Sequence, residues 1–218
     1  MQQSQWEIVI LKPTEVFRSF LAAFLPEEVE LPELSVLQTD TTAYRIRKQS
    51  DEEATFDEIY QHFSVMFRHE ISRWLGEDAH KEIEGSFLDF LCCFKFEFHS
   101  RIVLMEASIE EGQQLICVKP KTVLVKWVKT TAQEDADVST VINHMNVSSL
   151  AKNSTVVIKN FKKLSDFKPF IKHYFRPLAR AEMLRMKDKV RAWPKVTTFK
   201  AFSNYFSVEL HSHLIHLH

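Results

Sequence analysis

Five basic side chains near the C terminus form the clearest chemical pattern in the sequence. An α-helix turns once in about 3.6 residues, so residues spaced in threes, fours and sevens lie along one face. Such a row of ammonium and guanidinium groups can hold phosphate oxygens or meet an acidic protein surface. A solvated face opposite a core stripe is the alternative. The predicted partner- or anion-binding residues are Lys172, Arg176, Arg180, Lys187 and Arg191.

The C-terminal histidines His211, His213, His216 and His218 resemble metal ligands by type. In a strand they divide into two pairs on opposite faces, and in a helix only His213 and His216 are near neighbours. Zinc normally takes three or four protein ligands, and neither geometry gathers them. We therefore expect a polar tail and no metal site.

An enzyme would need a pocket that gathers His99 with Glu97 or Asp89, and nothing in their spacing requires one. Only three glycines occur. Phosphate-binding loops, dinucleotide fingerprints and nucleophile elbows need clustered glycines, because the backbone must turn sharply or approach a ligand closely. We therefore expect no enzymatic activity and no cofactor.

The three cysteines are Cys92, Cys93 and Cys117. An odd number with two adjacent residues does not indicate a disulfide framework, so a reducing cytoplasm fits best. Cys92 and Cys93 are interpreted as small core residues. No apolar run reaches the length of a membrane span.

The longest predicted helix covers residues 55–75. Thr55 and Glu58 have the spacing of a capping box, and Gly76 can accept the left-handed conformation that ends a helix. The wide apolar side of this helix must be buried, so we expect its residues to be core and much of the core to pack on this helix. The apolar residues are Phe56, Ile59, Tyr60, Phe63, Phe67, Ile71 and Trp74, and the predicted surface residues are Glu58, His62, His69 and Arg73.

The rest of the chain predicts short helices and strands. A helix is favoured over residues 86–109, although Phe94, Phe96 and Phe98 alternate with polar residues as in a strand. A second basic, Phe-rich segment near residue 155 echoes residues 6–24, but we do not interpret it as a repeat. The predicted strands are 6–11, 34–38, 42–48, 114–118, 122–128 and 155–161, and the other predicted helices are 16–25, 138–150, 165–175 and 177–193. The strands at 34–38 and 42–48 could form a hairpin, and residues 198–218 receive no assignment.

Charge divides the chain. Residues 1–112 contain 10 Lys and Arg against 22 Asp and Glu, whereas residues 113–218 contain 18 against 7. Two oppositely charged halves can dock on each other or attract outside partners. We expect a single α+β domain over residues 1–218, helix-rich, with short strands near the N terminus and around residues 114–160. Its acidic half would be 1–130 and its basic half 138–218, with a candidate linker at 131–137.

These features predict a non-enzymatic protein-interaction module: an adaptor, chaperone-like or scaffold subunit of a cytoplasmic multiprotein assembly. High aromatic content favours this class, because aromatic residues anchor interfaces. Its partners would be one or more proteins, bound constitutively. The alternative is an anion- or nucleic-acid-binding protein that uses the basic helix face at 172–191, for which an acidic surface or a nucleic acid would be the partner.

Overall fold

A computed structural model of the protein shows an α+β fold, as the sequence predicts. The chain forms two compact units, the first from Met1–Ser100 with His211–His218 and the second from Arg101–Leu210. The residues that the structure describes are 5–26, 28–77, 83, 85–105, 112–132, 146–186 and 193–217.

The elements of the first unit are β1 (Trp6–Pro13), α1 (Glu15–Ala22), α2 (Leu34–Leu37), β2 (Ala43–Arg47), α3 (Glu52–Leu75), α4 (Phe87–Cys93), β3 (Phe94–His99) and β8 (Leu214–His216). Its strands form one sheet in the order β3-β1-β2-β8. Strands β2 and β3 pair antiparallel to β1, and β8 pairs parallel to β2.

Helices α1, α3 and α4 pack together, and α3 also packs on β2. The core takes Val9 and Leu11 from β1, Phe17 from α1, Ile59 from α3 and Phe90 from α4. Aromatic rings dominate it; for example, the ring centroids of Phe17 and Phe94 are 4.6 Å apart. The apolar side of α3 therefore helps to build the core, as predicted.

The elements of the second unit are β4 (Ile102–Leu104), β5 (Gln114–Pro120), α5 (Thr122–Ala132), α6 (Val147–Ala151), β6 (Val156–Lys159), a 3₁₀ turn (Leu164–Asp166), α7 (Phe167–Met186), α8 (Phe199–Tyr205) and β7 (Phe206–His211). Its strands form one sheet in the order β4-β6-β5-β7. Strand β4 pairs parallel to β6, and β5 pairs antiparallel to β6.

In the described residues, and apart from the 3₁₀ turn, the two units have the same order of elements: strand, helix, short helix, strand, long helix, short helix, strand. The strand after the first copy, β4, completes the second sheet, and the strand after the second copy, β8, completes the first. The Lys-Pro at the end of β1 recurs at the end of β5. Around α4–β3 and α8–β7, six aligned positions are identical: Phe87 and Phe199, Phe90 and Phe202, Phe94 and Phe206, Glu97 and Glu209, His99 and His211, Ser100 and Ser212.

The chain is therefore an internal repeat in a register that the sequence analysis did not identify. The echo noticed in the sequence aligns β1–α1 with β6–α7, but the topology aligns β1–α1 with β5–α5 and β6–α7 with β2–α3. A strand followed by a helix occurs twice in each copy, so a strand–helix segment of one copy can resemble the wrong strand–helix segment of the other. The echo seen in the sequence is therefore not the repeat that the topology shows.

Several element predictions are wrong because two local patterns fitted the same residues. Residues 34–38 contain helix α2 instead of a strand, and β2 pairs with β1 rather than forming a hairpin with them. Residues 122–128 begin helix α5. The favoured helix over 86–109 ends at Cys93, after which Phe94–His99 is the strand that the alternation indicated.

Helix boundaries also differ from prediction. Helix α3 begins at Glu52, and its N-cap is Asp51, which accepts a hydrogen bond from the amide of Ala54, so Thr55 is not the cap. Gly76 ends the helix with a positive φ of 93°, as expected. The two helices predicted at 165–175 and 177–193 are, within the described residues, one helix, α7, which begins at Phe167 and runs through Pro177 to Met186.

Two expectations concern the linker and the domain organisation of the chain. Residues 133–145, which include most of the candidate linker and most of the predicted helix at 138–150, lie outside the described residues. The single-domain organisation with its acidic and basic halves stays a prediction. Within the described ranges, no helix is both long and apolar enough to cross a membrane.

A buried glutamate lies at the same place in the long helix of each unit. Glu70 in α3 is 1% exposed and accepts a hydrogen bond from the hydroxyl of Tyr44 at 2.8 Å. Glu182 in α7 is fully buried and accepts from the backbone N–H of Thr155 and from Arg185, whose Nη2 lies 2.8 Å away. A buried carboxylate is tolerated only when it is hydrogen-bonded or paired, so these contacts fix each helix against the strand it covers.

Replacing Glu182 with alanine is expected to lower the free energy of unfolding by about 3 kcal/mol, because Arg185 and the Thr155 amide lose their buried acceptor. Urea unfolding measures this loss. The control is Asp57→Ala, which removes an exposed carboxylate and should change stability by less than about 0.5 kcal/mol. Equal effects of the two substitutions would contradict a structural role for Glu182.

Candidate functional site

The first unit carries an apolar surface made from α3, α4 and β3, which we call the aromatic face. Three of its side chains are strongly solvent-exposed: Phe56 at 36%, Tyr60 at 57% and Leu88 at 69%. The half-buried members are Phe63, Phe87, Phe96 and Phe98. Exposed apolar groups that lie together, unlike scattered ones, are typical of interaction sites.

The rings of the aromatic face contact one another. Phe56 lies edge-on to Phe96 and Phe98, with centroid distances of 6.1 and 6.4 Å. Tyr60 lies edge-on to Phe87, with ring centroids 5.0 Å apart, and stacks on Phe63, with ring centroids 5.8 Å apart. Edge-to-face and offset arrangements are the favourable geometries for aromatic pairs, so the exposed rings are held in place by neighbours. A surface ordered in this way loses little side-chain entropy when a partner binds.

The local sequence explains why these rings reach solvent. The apolar stripe of α3 is wider than the surface that the sheet and α4 cover, so Ile59 and Phe67 are buried while Phe56 and Tyr60 remain at the edge. Leu88 lies within the capping box formed by Ser86 and Asp89, which fixes the start of α4. The prediction that the whole stripe is core was therefore wrong for these two aromatic residues.

Acidic side chains accompany the aromatic face. Glu52, Glu53 and Asp57 are exposed on the first two turns of α3, beside Phe56 in sequence. Hydrogen bonds from the Ser86 hydroxyl and amide lower the pKa of Asp89, so this carboxylate is also charged at neutral pH. An apolar surface with a negative border favours a partner segment that combines apolar and basic residues.

The structure brings together three of the five predicted basic residues. Lys172, Arg176 and Arg180 are exposed at successive turns of α7, which is continuous through Pro177 as this stripe requires. Arg176 donates to the carbonyl of Thr197 and lies over the ring of Phe175. Lys187 and Arg191 lie outside the described residues.

Alignment of the two copies shows that Lys172 is the counterpart of a residue on the aromatic face. Alignment of the buried glutamates and of the shared phenylalanines pairs Phe56 with Lys168, Tyr60 with Lys172 and Leu88 with Lys200. All six of these side chains are exposed. Equivalent positions are thus apolar in the first unit and basic in the second. This correspondence is visible in the sequence only when the two copies are aligned in the correct register.

The residues considered for catalysis are used structurally. His99 is fully buried, and its Nε2 lies 2.8 Å from Glu97 Oε1, while Glu97 Oε2 lies 4.0 Å from Lys12 Nζ. Asp89 caps α4 and accepts from Ser86. His99 and Glu97 therefore contact each other, whereas Asp89 is engaged at the start of α4.

The C-terminal histidines do not lie in a polar tail, which corrects that expectation. His211 is 1% exposed, and its Nδ1 lies 2.8 Å from the carbonyl oxygen of Thr41. The segment then forms β8, whose pairing with β2 includes Ala43 opposite Leu214. Burial lowers the pKa of His213. His218 lies outside the described residues.

The sequence also missed the group around Tyr44. Its buried hydroxyl contacts Glu70 and lies 3.1 Å from Nδ1 of His69, which was predicted as a surface residue and is half-buried. Burial, and next the Glu70 carboxylate, raise the pKa of Tyr44 well above its usual value, so the phenol stays protonated and can donate. A signal was available: Glu-x-x-Arg occurs at the same place in both long helices, at Glu70 and Glu182.

No protein family, curated protein or solved structure matches this chain.

The cysteines make a testable contrast, because none of the three forms a disulfide. Cys92 is exposed, whereas Cys93 and Cys117 are buried, and burial with the nearby Asp89 raises the pKa of Cys93 to about 12. At pH 8 an aromatic disulfide reagent should modify Cys92 quickly, because this thiol is exposed and thiolate is the reactive form. Cys93 and Cys117 should react only after unfolding, because they are buried. Mass spectrometry after brief labelling identifies the modified residue.

A Cys92→Ser variant provides the control, since it should lose the fast reaction entirely. Fast modification of Cys93 in folded protein would show that α4 does not bury this residue as described.

Proposed function

We propose that this protein is a non-enzymatic protein-interaction module, an adaptor, chaperone-like or scaffold subunit of a cytoplasmic multiprotein assembly. The observation that carries the proposal is the aromatic face, where the exposed rings of Phe56 and Tyr60 contact half-buried phenylalanines and Leu88 on α4 is also exposed. Burying such side chains in an interface removes apolar area from water at a gain of about 25 cal/mol per Å². Cysteines that form no disulfide support the assignment to a reducing compartment.

The proposed occupant of the aromatic face is a partner segment with an apolar anchor and basic neighbours. Aromatic residues are enriched among the few positions that dominate binding energy, and Tyr60 offers both a ring and a hydroxyl. The acidic side chains Glu52, Glu53 and Asp57 would favour basic groups around that anchor. Contacts among the rings hold the surface in shape before binding, which favours a stable, constitutive complex.

The double substitution Tyr60→Asp with Leu88→Asp is expected to weaken a specific partner complex at least tenfold, because each carboxylate would be buried against apolar atoms. The intact protein serves as bait in native extract, and the recovered partner is then purified and titrated by calorimetry. Val36→Asp is the matched control, since Val36 is 51% exposed but lies on α2, outside the aromatic face.

The expected result is one partner that binds wild type and the Val36→Asp variant equally and binds the double variant weakly. If a partner binds the double variant as tightly as it binds wild type, its interface lies elsewhere on the protein. If every protein recovered with wild type is recovered equally with all variants, the module hypothesis for this face fails.

A second function is an anion- or nucleic-acid-binding activity on the basic face of α7. Lys172, Arg176 and Arg180 are exposed at successive turns, and none forms an ion pair with a carboxylate in the part of the chain that the structure describes. Unneutralised cations on one helix face attract phosphate oxygens. This reading also retains Lys187 and Arg191 as predicted contributors.

Charge reversal of Lys172, Arg176 and Arg180 to glutamate is expected to reduce binding to a duplex DNA oligonucleotide and to flatten its salt dependence. Each lost phosphate contact should lower the slope of log K against log salt by about 0.9. Fluorescence anisotropy at several salt concentrations measures both quantities. The control reverses three exposed lysines outside this face, Lys126, Lys162 and Lys163. Equal effects of the two triple variants would indicate only a general charge effect.

A further inference from the structure

The second unit contains a cavity of about 310 Å³ between the start of α7, helix α8 and the beginning of β7. Its walls include four phenylalanines, Phe167, Phe199, Phe202 and Phe206. Phe202 and Phe206 are almost completely buried, with ring centroids 5.2 Å apart, so they form a fixed apolar floor. The volume lies at the small end of the range for pockets that bind small molecules.

The first unit differs at the corresponding place. Where the second unit has Lys168 and Val208 on the wall, the aligned positions of the first are Phe56 and Phe96, whose ring centroids are 6.1 Å apart. A lysine and a valine thus replace two contacting rings. The cavity is therefore a feature of the second copy's own side chains, since the backbone order is common to both.

Two ammonium groups belong to the cavity lining. Lys121 Nζ donates to the carbonyl of Ser203 at 2.7 Å, which orients the side chain and leaves two further N–H groups. Lys168 is exposed, and neither lysine forms an ion pair with a carboxylate of the described residues. An apolar floor beside two available cations suits a ligand with an apolar body and one negative charge.

We propose that this cavity binds a small amphipathic carboxylic acid, with its apolar body on Phe202 and Phe206 and its carboxylate between Lys121 and Lys168. The size of the cavity restricts the apolar part to a single ring or a short chain. Ser203 and Ser207 also line the cavity, but their hydroxyls donate to the backbone carbonyls of Phe199 and Lys119, so the two lysines are the groups that would hold the carboxylate. This inference is independent of the proposed protein-docking role, because its residues belong to the second unit alone.

The test uses 4-phenylbutyrate as the probe and 4-phenylbutanamide as its uncharged match. The full-length protein, labelled with ¹⁵N, is titrated with each compound while amide resonances are recorded by NMR. The acid should cause saturable shifts at Ser203, Ser207 and Val208, and the amide should bind at least several-fold more weakly because it lacks the charge. Shifts confined to the first unit, or equal binding of acid and amide, would overturn the proposal.

Variants separate the two parts of the site. Lys168→Gln should weaken the acid about two- to fivefold, as expected for one exposed ion pair, and leave the amide unchanged. Val208→Phe should weaken both compounds, because it restores one of the rings found in the first unit. Lys126→Gln, an exposed lysine outside the cavity, is the control and should change neither affinity.

Thermal unfolding of each variant shows whether it is folded. If Val208→Phe does not fold, Lys168→Gln still decides the charge contribution. An effect of Lys126→Gln as large as that of Lys168→Gln would contradict the site and indicate a general charge effect.

Discussion

Each unit depends on one buried carboxylate in its longest helix. Glu70 is held by the Tyr44 hydroxyl from β2, and Glu182 is held by Arg185 and by the backbone beside β6. Removing a charge from water costs several kcal/mol unless it is paired, so these bonds allow only one position of the helix along the sheet. That position decides which residues of α3 and α7 face the core and which are left for solvent.

The same constraint extends to the short helices and turns. Arg73, one turn after Glu70, reaches the carbonyl of Asp40, and Arg185, one turn after Glu182, reaches the carbonyl of Lys152. Among the described residues, Asp40 and Asn153 are the non-glycine residues with positive φ, at aligned places in the two copies. Asp and Asn tolerate the left-handed conformation better than most residues, so each turn is matched to the arginine that holds it.

Because the scaffold is shared, the two units can differ at the surface without differing in fold. Phe56, Tyr60 and Leu88 in the first unit have the lysine counterparts Lys168, Lys172 and Lys200 in the second. Substitution at exposed helix positions costs little stability, so these sites were free to diverge while the core residues were retained. One copy then offers an apolar surface, and the other offers cations around a cavity.

Sequence reasoning predicted the elements whose periodicity was unambiguous, such as β1, α1 and the C-terminal end of α3. It failed where residues fitted two periods. Residues 122–128 alternate like a strand but also form an apolar helix face, and only the pairing of β5 with β6 and the end of β5 at Pro120 decide between them. Phe94–His99 is a strand because β1 supplies partners along its length, which is a long-range fact.

The candidate sites were predictable only in part. Exposure of Lys172, Arg176 and Arg180 followed from helix geometry. Phe56 and Tyr60 were interpreted as core residues because a stripe shows which side is apolar, but not how much of that side the neighbours cover. Glu70 and Glu182 were missed because a glutamate among polar neighbours is usually a surface residue. The repeated Glu-x-x-Arg would have singled them out once the correct copies were aligned.

The most direct test of the central claim is site-specific photo-cross-linking in the cell that makes the protein. Benzoylphenylalanine placed at position 60 lies on the aromatic face, and the same group at position 36 lies on α2, outside it. Position 60 is expected to give one dominant cross-linked protein, whereas position 36 is not. If position 60 yields no cross-linked product, or yields the same products as position 36, the aromatic face is not a docking surface and the proposed function is wrong.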